Sequence, residues 1–273
     1  MQINILVSQA LASWEEGAKS WLFYADRLYQ LPLGLVGVAV GVAILPRLAK
    51  SARQDDQATS GALIDNGIGL AMALTLPAAA ALIIAPSYLI EGLYTRGAFL
   101  TSDAQQAGRA LIHYGWGVPA FVLIKVLAPA YFAREDTKTP MKFALVSVAV
   151  NTALGASLFL WLRSQGVDGF PGLAVATSTA AWGNALMLIA GLRSRGWYTP
   201  GPVLRSRLIR VLLATAAMAV VLMIWMRNHS SFEIGLLESK LVETAAFILV
   251  GLITYAIAAL AVGAVKLSDL RRA

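Results

Sequence analysis

Arg27 is the residue whose type and position most clearly indicate chemistry in this sequence. It lies in a largely apolar helical run that extends from Trp21 to Gly37. An ionised side chain at membrane depth costs on the order of 3 kcal/mol, so it is usually kept to bind a substrate, an ion or a partner helix. Lys125 is the second basic residue within an apolar run. These two cations predict a transport protein.

A polar stripe surrounds Arg27 on its predicted helix. Ser20, Tyr24, Gln30 and Gly34 share its face because they lie at spacings of three, four and seven residues. A stripe of this kind is typical of a helix that faces a cavity, so we predict that the polar side chains bind substrate. The alternative is that Arg27 reaches the outer interface along its own aliphatic stem.

The same helix carries residues with predicted structural or gating roles. Asp26 points about 100° away from Arg27 and is expected to pair with a neighbouring helix. Pro32 removes one backbone hydrogen bond, which predicts a bend that can act as a hinge. Gly37 and Gly41 have the small-xxx-small spacing that lets a second helix approach closely.

The helix around Lys125 contains two prolines, Pro119 and Pro129. Each proline leaves the carbonyl four residues earlier without its helical donor, so we expect the helix to be interrupted or kinked at both positions. Broken helices that carry a buried charge commonly line transport pathways. The alternative for Lys125 is that its side chain extends to the cytoplasmic surface.

Composition places these residues in a membrane. With 58% hydrophobic residues, 14% charged residues and a mean hydropathy of +0.67, the chain has too little polar surface to close a soluble globule. The expected fold is all-α, a polytopic transmembrane helix bundle. Apolar runs of roughly 20 residues predict seven complete spans, at 21–45, 66–90, 110–132, 143–162, 172–192, 208–226 and 244–265.

An eighth apolar run, Ile3 to Trp14, is too short to cross a bilayer. It resembles the second half of a helix, so we expect that the chain is truncated. A signal peptide is the alternative, but no basic residue precedes this run.

Lysines and arginines are concentrated in every second loop between the predicted spans. These loops lie on one side of the membrane, the side that also holds the C-terminal tail. The positive-inside rule makes that side cytoplasmic. The net charge of +7 therefore reports orientation, and no basic stripe indicates nucleic acid.

Other chemistry has weaker support. If their helices are neighbours, the polar side chains of two later spans are expected to join them by hydrogen bonds, and an oxygen-lined sodium site is the minority alternative. These residues are Asn151, Thr152, Thr177, Ser178 and Thr179. His113 and His229 stand without ligands at metal-binding spacing, so no metal site is expected. No phosphate-binding glycine loop, carboxylate pair or nucleophile set indicates an enzyme. A polyprenyl-phosphate-dependent membrane enzyme remains an alternative.

Four segments together are typical of one transporter family: Tyr24-Ala-Asp-Arg-Leu, Pro32-Leu-Gly-Leu-Val-Gly-Val-Ala, Leu45-Pro-Arg-Leu-Ala-Lys and Lys125-Val-Leu-Ala-Pro-Ala-Tyr-Phe-Ala-Arg-Glu-Asp-Thr-Lys-Thr-Pro. They resemble the MurJ/MviN lipid II flippases of the MOP superfamily. The resemblance implies a two-lobed transporter of 14 helices. Residues 1–205 would form a partial C-terminal lobe, from the end of helix seven to helix twelve. Residues 206–273 would form two accessory transmembrane helices and a basic cytoplasmic tail.

The resemblance also implies a function, in which cavity arginines hold the pyrophosphate of lipid II while the protein alternates between inward-open and outward-open states. Arg27 occupies the arginine position of the Tyr-Ala-Asp-Arg motif. The expected partners are lipid II, or a similar polyprenyl-pyrophosphate-linked sugar, membrane lipids and an N-terminal lobe. No cofactor is expected, although sodium or membrane-potential coupling is possible in the family. The expected location is the bacterial inner membrane. Alternatives are an exporter of another lipid-linked oligosaccharide and a regulatory or inert remnant.

Overall fold

The computed structural model describes residues 2–54, 56–228 and 240–264, with the side chains of 2–5, 35–45, 52 and 53 left undescribed. Within these ranges the regular structure is entirely helical. The helices are α1 (Gln2–Ala12), α2 (Ala18–Arg53), α3 (Gln57–Ile84), α4 (Pro86–Tyr94), α5 (Thr101–Phe132), α6 (Lys138–Ser164), α7 (Phe170–Ser194), α8 (Pro202–Asn228) and α9 (Lys240–Ala261). The prediction of an all-α fold is confirmed.

Six of these helices, α3 and α5 to α9, are long and apolar enough to cross a membrane. The other predicted span, 21–45, lies in α2, which has 36 residues and a length of about 54 Å. Most helices extend beyond the predicted apolar runs, because their first and last turns carry polar side chains. The chain is therefore a polytopic helical membrane protein, as predicted.

One predicted span is divided at a proline, and the predicted interruption of α5 at its two prolines is not observed. The predicted span 66–90 is divided, since α3 ends at Ile84 and α4 begins at Pro86. Ala85 between them has φ −129° and ψ 49°, which is outside the helical region. The residue before a proline avoids helical geometry, and proline is favoured at the first helical position. In contrast, Pro119 and Pro129 lie inside α5, which continues without interruption to Phe132.

Helix α5 lies at the centre of the described structure. It packs against α2, α3, α4 and α7, while α6 packs on the other side of α7. Glycines permit this close approach: a Cβ added at Gly117 would lie 2.3 Å from Ser178 Oγ, and one added at Gly108 would lie 2.2 Å from Ser87 Oγ. Lipid tails are as apolar as the helices, so the hydrophobic effect does not drive helices together within the membrane. Van der Waals contact at such close approaches is a main source of attraction instead. The predicted contact at Gly37 and Gly41 lies outside the described side chains.

Helices α8 and α9 pack on each other, α8 also contacts α3, and α9 also contacts α4. Between α4 and α9, a Cβ at Gly92 would lie 1.7 Å from Thr244 Oγ1, and the ammonium of Lys240 forms an ion pair with the carboxylate of Glu91. The pair is thus attached along one side of the bundle. The division of the chain near residue 205 stays a prediction.

Candidate substrate-binding face

Helices α2 and α5 lie side by side and run in the same direction. Three contacts occur in the same order along both helices. The Trp21 indole N–H donates to Asp103 over 2.8 Å, the Tyr29 ring stacks on Tyr114 at 4.8 Å, and Lys125 reaches the carbonyl of Leu33. This arrangement brings the two predicted cations, Arg27 and Lys125, onto adjacent helices.

One side of α2 is uncovered in the described structure. Its exposed residues include Ser20, Arg27, Gln30 and Gly34, which are four of the residues in the predicted polar stripe. A Cβ added at Gly34 would meet nothing within 4 Å. Lys125 of α5 is exposed as well. We call these five residues the cationic face.

Arg27 is positioned by an aromatic ring. Its guanidinium carbon lies 4.9 Å from the centroid of the Phe23 ring, one helical turn earlier. Among the ion pairs of the described residues none includes Arg27. A guanidinium has five N–H donors in a planar fork, which suits the oxygens of a phosphate. The Arg27 guanidinium is therefore exposed and forms no ion pair with another described residue.

Tyr24 is half-buried and lies against aromatic residues at the end of the bundle where α2 and α5 begin. Its ring lies 4.9 Å from that of Tyr94 and 4.5 Å from that of Phe99. These aromatic side chains, with Phe23, form a wall beside Arg27. The sequence does not predict Tyr94 and Phe99 here, because their contact with Tyr24 joins distant parts of the chain. Phe23 had a local signal, since it lies four residues before Arg27 on the same helix.

Asp26 is bonded within its own helix rather than to a neighbouring one. The Gln30 amide donates to its carboxylate, and the Tyr29 hydroxyl interacts with the same group. Tyr29 itself is buried and stacks against Tyr114 and Phe121 of α5. Asp26 and Gln30 thus fix the side-chain arrangement next to Arg27.

Lys125 links α5 to α2 beside the predicted hinge. Its ammonium donates to the carbonyl of Leu33 over 3.3 Å, directly after Pro32. Leu33 is six residues beyond Arg27, which corresponds to about 9 Å along the helix. The Lys125 contact is therefore nearly two helical turns from Arg27 along α2.

The structure does not bring Asn151 and Thr179 together. Asn151 is buried, and its amide lies 3.5 Å from Thr177 Oγ1 on α7. Thr179 is exposed, and its hydroxyl donates to the Val175 carbonyl of its own helix. Two residues of helix correspond to about 200° of rotation, so Thr177 and Thr179 face different sides.

His113 lines a cavity of about 480 Å³ between α5, α6 and α7. Arg109 and Asp168 form an ion pair at the same cavity, with 2.5 Å between Nη1 and Oδ2. No group of three or more His, Asp or Glu side chains that could hold a metal ion occurs in the described ranges. His229 lies outside them.

The described structure is a polytopic helical membrane bundle with two exposed basic residues on adjacent helices. The family model described as "Lipid II flippase MurJ" matches residues 1–242. The chain belongs to the MurJ lipid II flippase family.

Named relatives agree with this assignment. The chain is 41% identical over 276 residues to the probable lipid II flippase MurJ of Rhizobium meliloti (strain 1021), an alignment that covers 99% of this chain and 50% of the relative. It is 34% identical to the probable lipid II flippase MurJ of Vibrio cholerae, covering 100% of this chain and 51% of the relative. The chain thus spans about half the length of these relatives.

The fold also matches a solved structure, described as lipid II flippase MurJ in an inward closed conformation. The TM-score is 0.73 at 23% sequence identity, and the alignment covers 94% of this chain and 50% of that one. At this identity the likeness establishes the fold. The bundle of α1 to α9 therefore has the architecture of one half of that transporter.

Proposed function

We propose that this chain forms the C-terminal lobe of a flippase that moves lipid II across the bacterial inner membrane by alternating access. The observation that carries the proposal is the exposed guanidinium of Arg27 on the cationic face, which forms no ion pair with another described residue. In this proposal Arg27 and Lys125 bind the pyrophosphate of the substrate, with Ser20 and Gln30 beside them. Tyr24 belongs to the aromatic wall next to Arg27. Translocation needs no covalent step.

The electrostatics of Arg27 support this role. Its nearest aromatic contact, Phe23, stabilises the cation without removing its charge. A substrate pyrophosphate can accept two parallel hydrogen bonds from the guanidinium, which are stronger than bonds between neutral groups. Lys125 adds a compact second charge on the adjacent helix. Binding by both cations would account for an arginine that the rest of the described chain leaves unpaired.

The cationic face is open because its other wall is outside this chain in our proposal. A second, N-terminal lobe would cover Ser20, Arg27 and Gly34 and would complete the cavity. The half-length coverage of the relatives supports this arrangement. The two lobes would rock against each other to expose the cavity to either leaflet.

Orientation and coupling are part of the same proposal. The basic loops and the C-terminal tail would face the cytoplasm, following the positive-inside rule. Pro32 lies inside α2 beside Arg27 and the Leu33 contact, where a small change of bend would alter both cation positions. Residues 206–273, which include α9 and nearly all of α8, would form the accessory unit whose apolar groove holds the polyprenyl tail. Sodium or the membrane potential would drive the cycle.

The test is rescue of bacteria depleted of their own lipid II flippase by the natural protein that carries this chain. We expect the unchanged protein to restore growth and to expose lipid II at the outer leaflet. Arg27→Ala should weaken substrate binding roughly 10- to 100-fold, because a charged hydrogen-bonding group is lost, and should abolish rescue. Arg96→Ala, which removes the same charge from an exposed loop residue, is the matched control and should rescue.

The outcomes separate the alternatives. Rescue by Arg27→Ala at the level of the unchanged protein would overturn the role of Arg27. Failure of the unchanged protein to rescue, although it reaches the membrane, would favour export of another lipid-linked oligosaccharide. Arg27→Lys should retain partial activity, since lysine keeps the charge but loses the planar fork.

A further inference from the structure

The aromatic wall beside Arg27 consists of Phe23, Tyr24, Tyr94 and Phe99. Tyr24 joins its parts, because its ring centroid lies 4.9 Å from that of Tyr94 and 4.5 Å from that of Phe99. The Phe23 ring lies 5.6 Å from the Tyr24 ring on the same helix. Three segments therefore supply the wall, namely the first turns of α2, the end of α4 and the loop between α4 and α5.

The wall begins directly at the cation. The guanidinium carbon of Arg27 lies 4.9 Å from the centroid of the Phe23 ring. On α4, the hydroxyl of Tyr94 lies within electrostatic range of the same guanidinium. The aromatic residues of two different helices thus approach Arg27, although Tyr94 is distant from it in the sequence.

The wall keeps binding groups that the described structure does not use. Phe23 is 50% exposed, and Tyr24 and Tyr94 are partly exposed. Among the residues that the structure describes, neither tyrosine hydroxyl has a hydrogen-bond partner. A tyrosine of this kind presents an apolar ring together with a polar tip. The wall therefore suits a ligand group that has both apolar faces and hydroxyl groups.

The position of the wall also limits what it can contact. Tyr94 is the last residue of α4, and Arg96 and Gly97 of the following loop are exposed. Irregular backbone that is exposed to lipid does not occur within the hydrocarbon core of a membrane. The wall therefore lies toward the aqueous end of the bundle, where a polar headgroup is accommodated more readily than a hydrocarbon chain.

We propose that the aromatic wall binds the sugar that is bonded to the substrate pyrophosphate, and that the hydroxyls of Tyr24 and Tyr94 form hydrogen bonds with the hydroxyl groups of that sugar. This inference rests on the proposed function, which places the pyrophosphate at Arg27. The sugar follows the pyrophosphate directly, so a ring 4.9 Å from the guanidinium carbon is within its reach. The electron-rich face of an aromatic ring attracts the weakly positive C–H groups of a sugar ring.

The polyprenyl tail is the other group bonded to the pyrophosphate, and the wall suits it less well. A tail packed on the wall would bury the hydroxyls of Tyr24 and Tyr94 without a hydrogen-bond partner, which is unfavourable. A sugar supplies such partners. The wall would thus select polyprenyl pyrophosphates that carry a sugar over those that carry none.

The experiment compares two ligands that differ by one sugar, undecaprenyl pyrophosphate and its N-acetylglucosamine conjugate. Native mass spectrometry of the natural protein in detergent measures the dissociation constant of each ligand. Tyr94→Leu should weaken binding of the conjugate about three- to tenfold, because the aromatic ring is lost. It should change binding of undecaprenyl pyrophosphate by less than about twofold.

Tyr88→Leu is the matched control. It removes the same ring from the same helix, at a position where the ring lies 5.4 Å from that of Phe247 on α9. Its ratio of the two dissociation constants should equal that of the unchanged protein. Thermal unfolding of each variant identifies any loss of folding.

A second variant tests the hydroxyls with every ring in place. The double substitution Tyr24→Phe and Tyr94→Phe should weaken binding of the conjugate at least about fivefold, since hydrogen bonds to the sugar are lost. Binding of undecaprenyl pyrophosphate should be unchanged. Folding should be unchanged as well, because neither hydroxyl has a partner among the described residues. This variant therefore decides the matter if Tyr94→Leu is unstable.

Two results would overturn the proposal. Equal losses for both ligands in Tyr94→Leu would mean that the wall contacts the tail or only supports the fold. Unchanged binding of the conjugate in both Tyr94→Leu and the double variant would mean that the wall does not contact the sugar.

Arg27→Ala separates this inference from the proposed function. It should weaken both ligands to a similar degree, because both carry the pyrophosphate. If Arg27→Ala changed neither ligand while Tyr94→Leu still weakened the conjugate, the proposed role of Arg27 would fail and binding of the sugar by the wall would stand. If only the effect of Tyr94→Leu were absent, the proposed function would stand without the sugar site.

Discussion

Glu15 accepts a 2.7 Å hydrogen bond from the backbone N–H of Gly169, although the two residues are 154 positions apart. The second oxygen of the same carboxylate accepts from the N–H of Phe170 over 3.1 Å. These donors belong to the start of α7, where backbone N–H groups have no partner within the helix. A side chain from the turn between α1 and α2 thus caps the N-terminus of a distant helix. Its negative charge also interacts favourably with the dipole of that helix.

Replacing Glu15 should destabilise the end of the bundle where α2 and α7 begin. Glu15→Ala leaves two N–H groups of α7 without their acceptor, and its side chain is only 12% exposed. We expect a loss of about 1–2 kcal/mol in the free energy of unfolding, comparable to the loss of an N-cap. Thermal unfolding in detergent measures it. Glu16→Ala removes the same charge from an exposed neighbour and should change stability by less than about 0.5 kcal/mol. Equal effects of the two changes would contradict the capping role.

The capping role of Glu15 could not be predicted from the sequence. Composition and hydropathy identify the long helices because each contains an apolar run long enough to cross the bilayer. A contact across 154 positions depends on which helices are neighbours, and no local pattern contains that information. The polar stripe of α2 was predictable because 3.6-residue periodicity acts within one helix. The predicted stripe includes Tyr24. In the structure its ring instead packs against Tyr94 and Phe99, at the end of the bundle where α2 and α5 begin.

The division at Ala85 had a local signal that hydropathy alone overlooks. Pro86 disfavours helical geometry at the residue before it, yet Pro119 and Pro129 lie within a continuous α5. Both of these prolines are buried, so neighbouring helices hold the chain around them. Proline therefore indicates where a membrane helix can end, and the packing around it decides whether it does.

Gly117 should tolerate no side chain, in contrast to Gly34. A methyl group at Gly117 would meet Ser178 Oγ at 2.3 Å and would disturb the 2.7 Å bond that Ser178 donates to the His113 carbonyl. We expect Gly117→Ala to lower the free energy of unfolding by about 1–3 kcal/mol, the usual cost of overpacking. Chemical denaturation in detergent would measure the change.

Gly34→Ala is the matched control for folding, because nothing lies within 4 Å of the added methyl group. It should leave stability unchanged or raise it by up to about 1 kcal/mol, since alanine favours the helix. If the cationic face lines the substrate cavity, the same change should impair rescue in the flippase assay. A destabilised Gly34→Ala together with a stable Gly117→Ala would contradict the packing described for α5 and α7.

The proposal of two lobes predicts the form in which the protein occurs. An antibody against the tail 266–273, used on native membranes, should detect a band near twice 29.0 kDa if both lobes belong to one polypeptide. If the band is instead near 29.0 kDa, a second polypeptide should copurify with it in stoichiometric amount. A 29.0 kDa product that purifies alone and still supports flippase rescue would contradict the two-lobe cavity.

Tyr198 and Asp65 lie at the opposite end of the bundle from Glu15. Their hydrogen bond should make a pH-dependent contribution to the free energy of unfolding. The Tyr198 hydroxyl donates to Asp65 over 2.6 Å, and the N–H of Gly201 donates to the other carboxylate oxygen over 3.0 Å. Burial, followed by the hydrogen bond to Asp65, raises the pKa of Tyr198 above its ordinary value of 10.0. The folded state therefore favours the neutral phenol, so its stabilisation is complete below pH 10 and is lost as the pH rises further.

Tyr198→Phe removes this contribution without changing the ring. We expect the variant to be less stable by about 1–2 kcal/mol at pH 7 to 8, where the lost bond joins a hydroxyl to a carboxylate. Above pH 10 the difference in stability between the two proteins should shrink. Tyr198 then ionises in the unfolded state, which lowers the free energy of unfolding of the unchanged protein but not that of Tyr198→Phe. Thermal unfolding in detergent from pH 7 to 11 measures the difference, with exposed Thr199→Ala as control. A difference that stays constant over this range would mean that Tyr198 stabilises the loop by packing, since packing is indifferent to the protonation of the phenol.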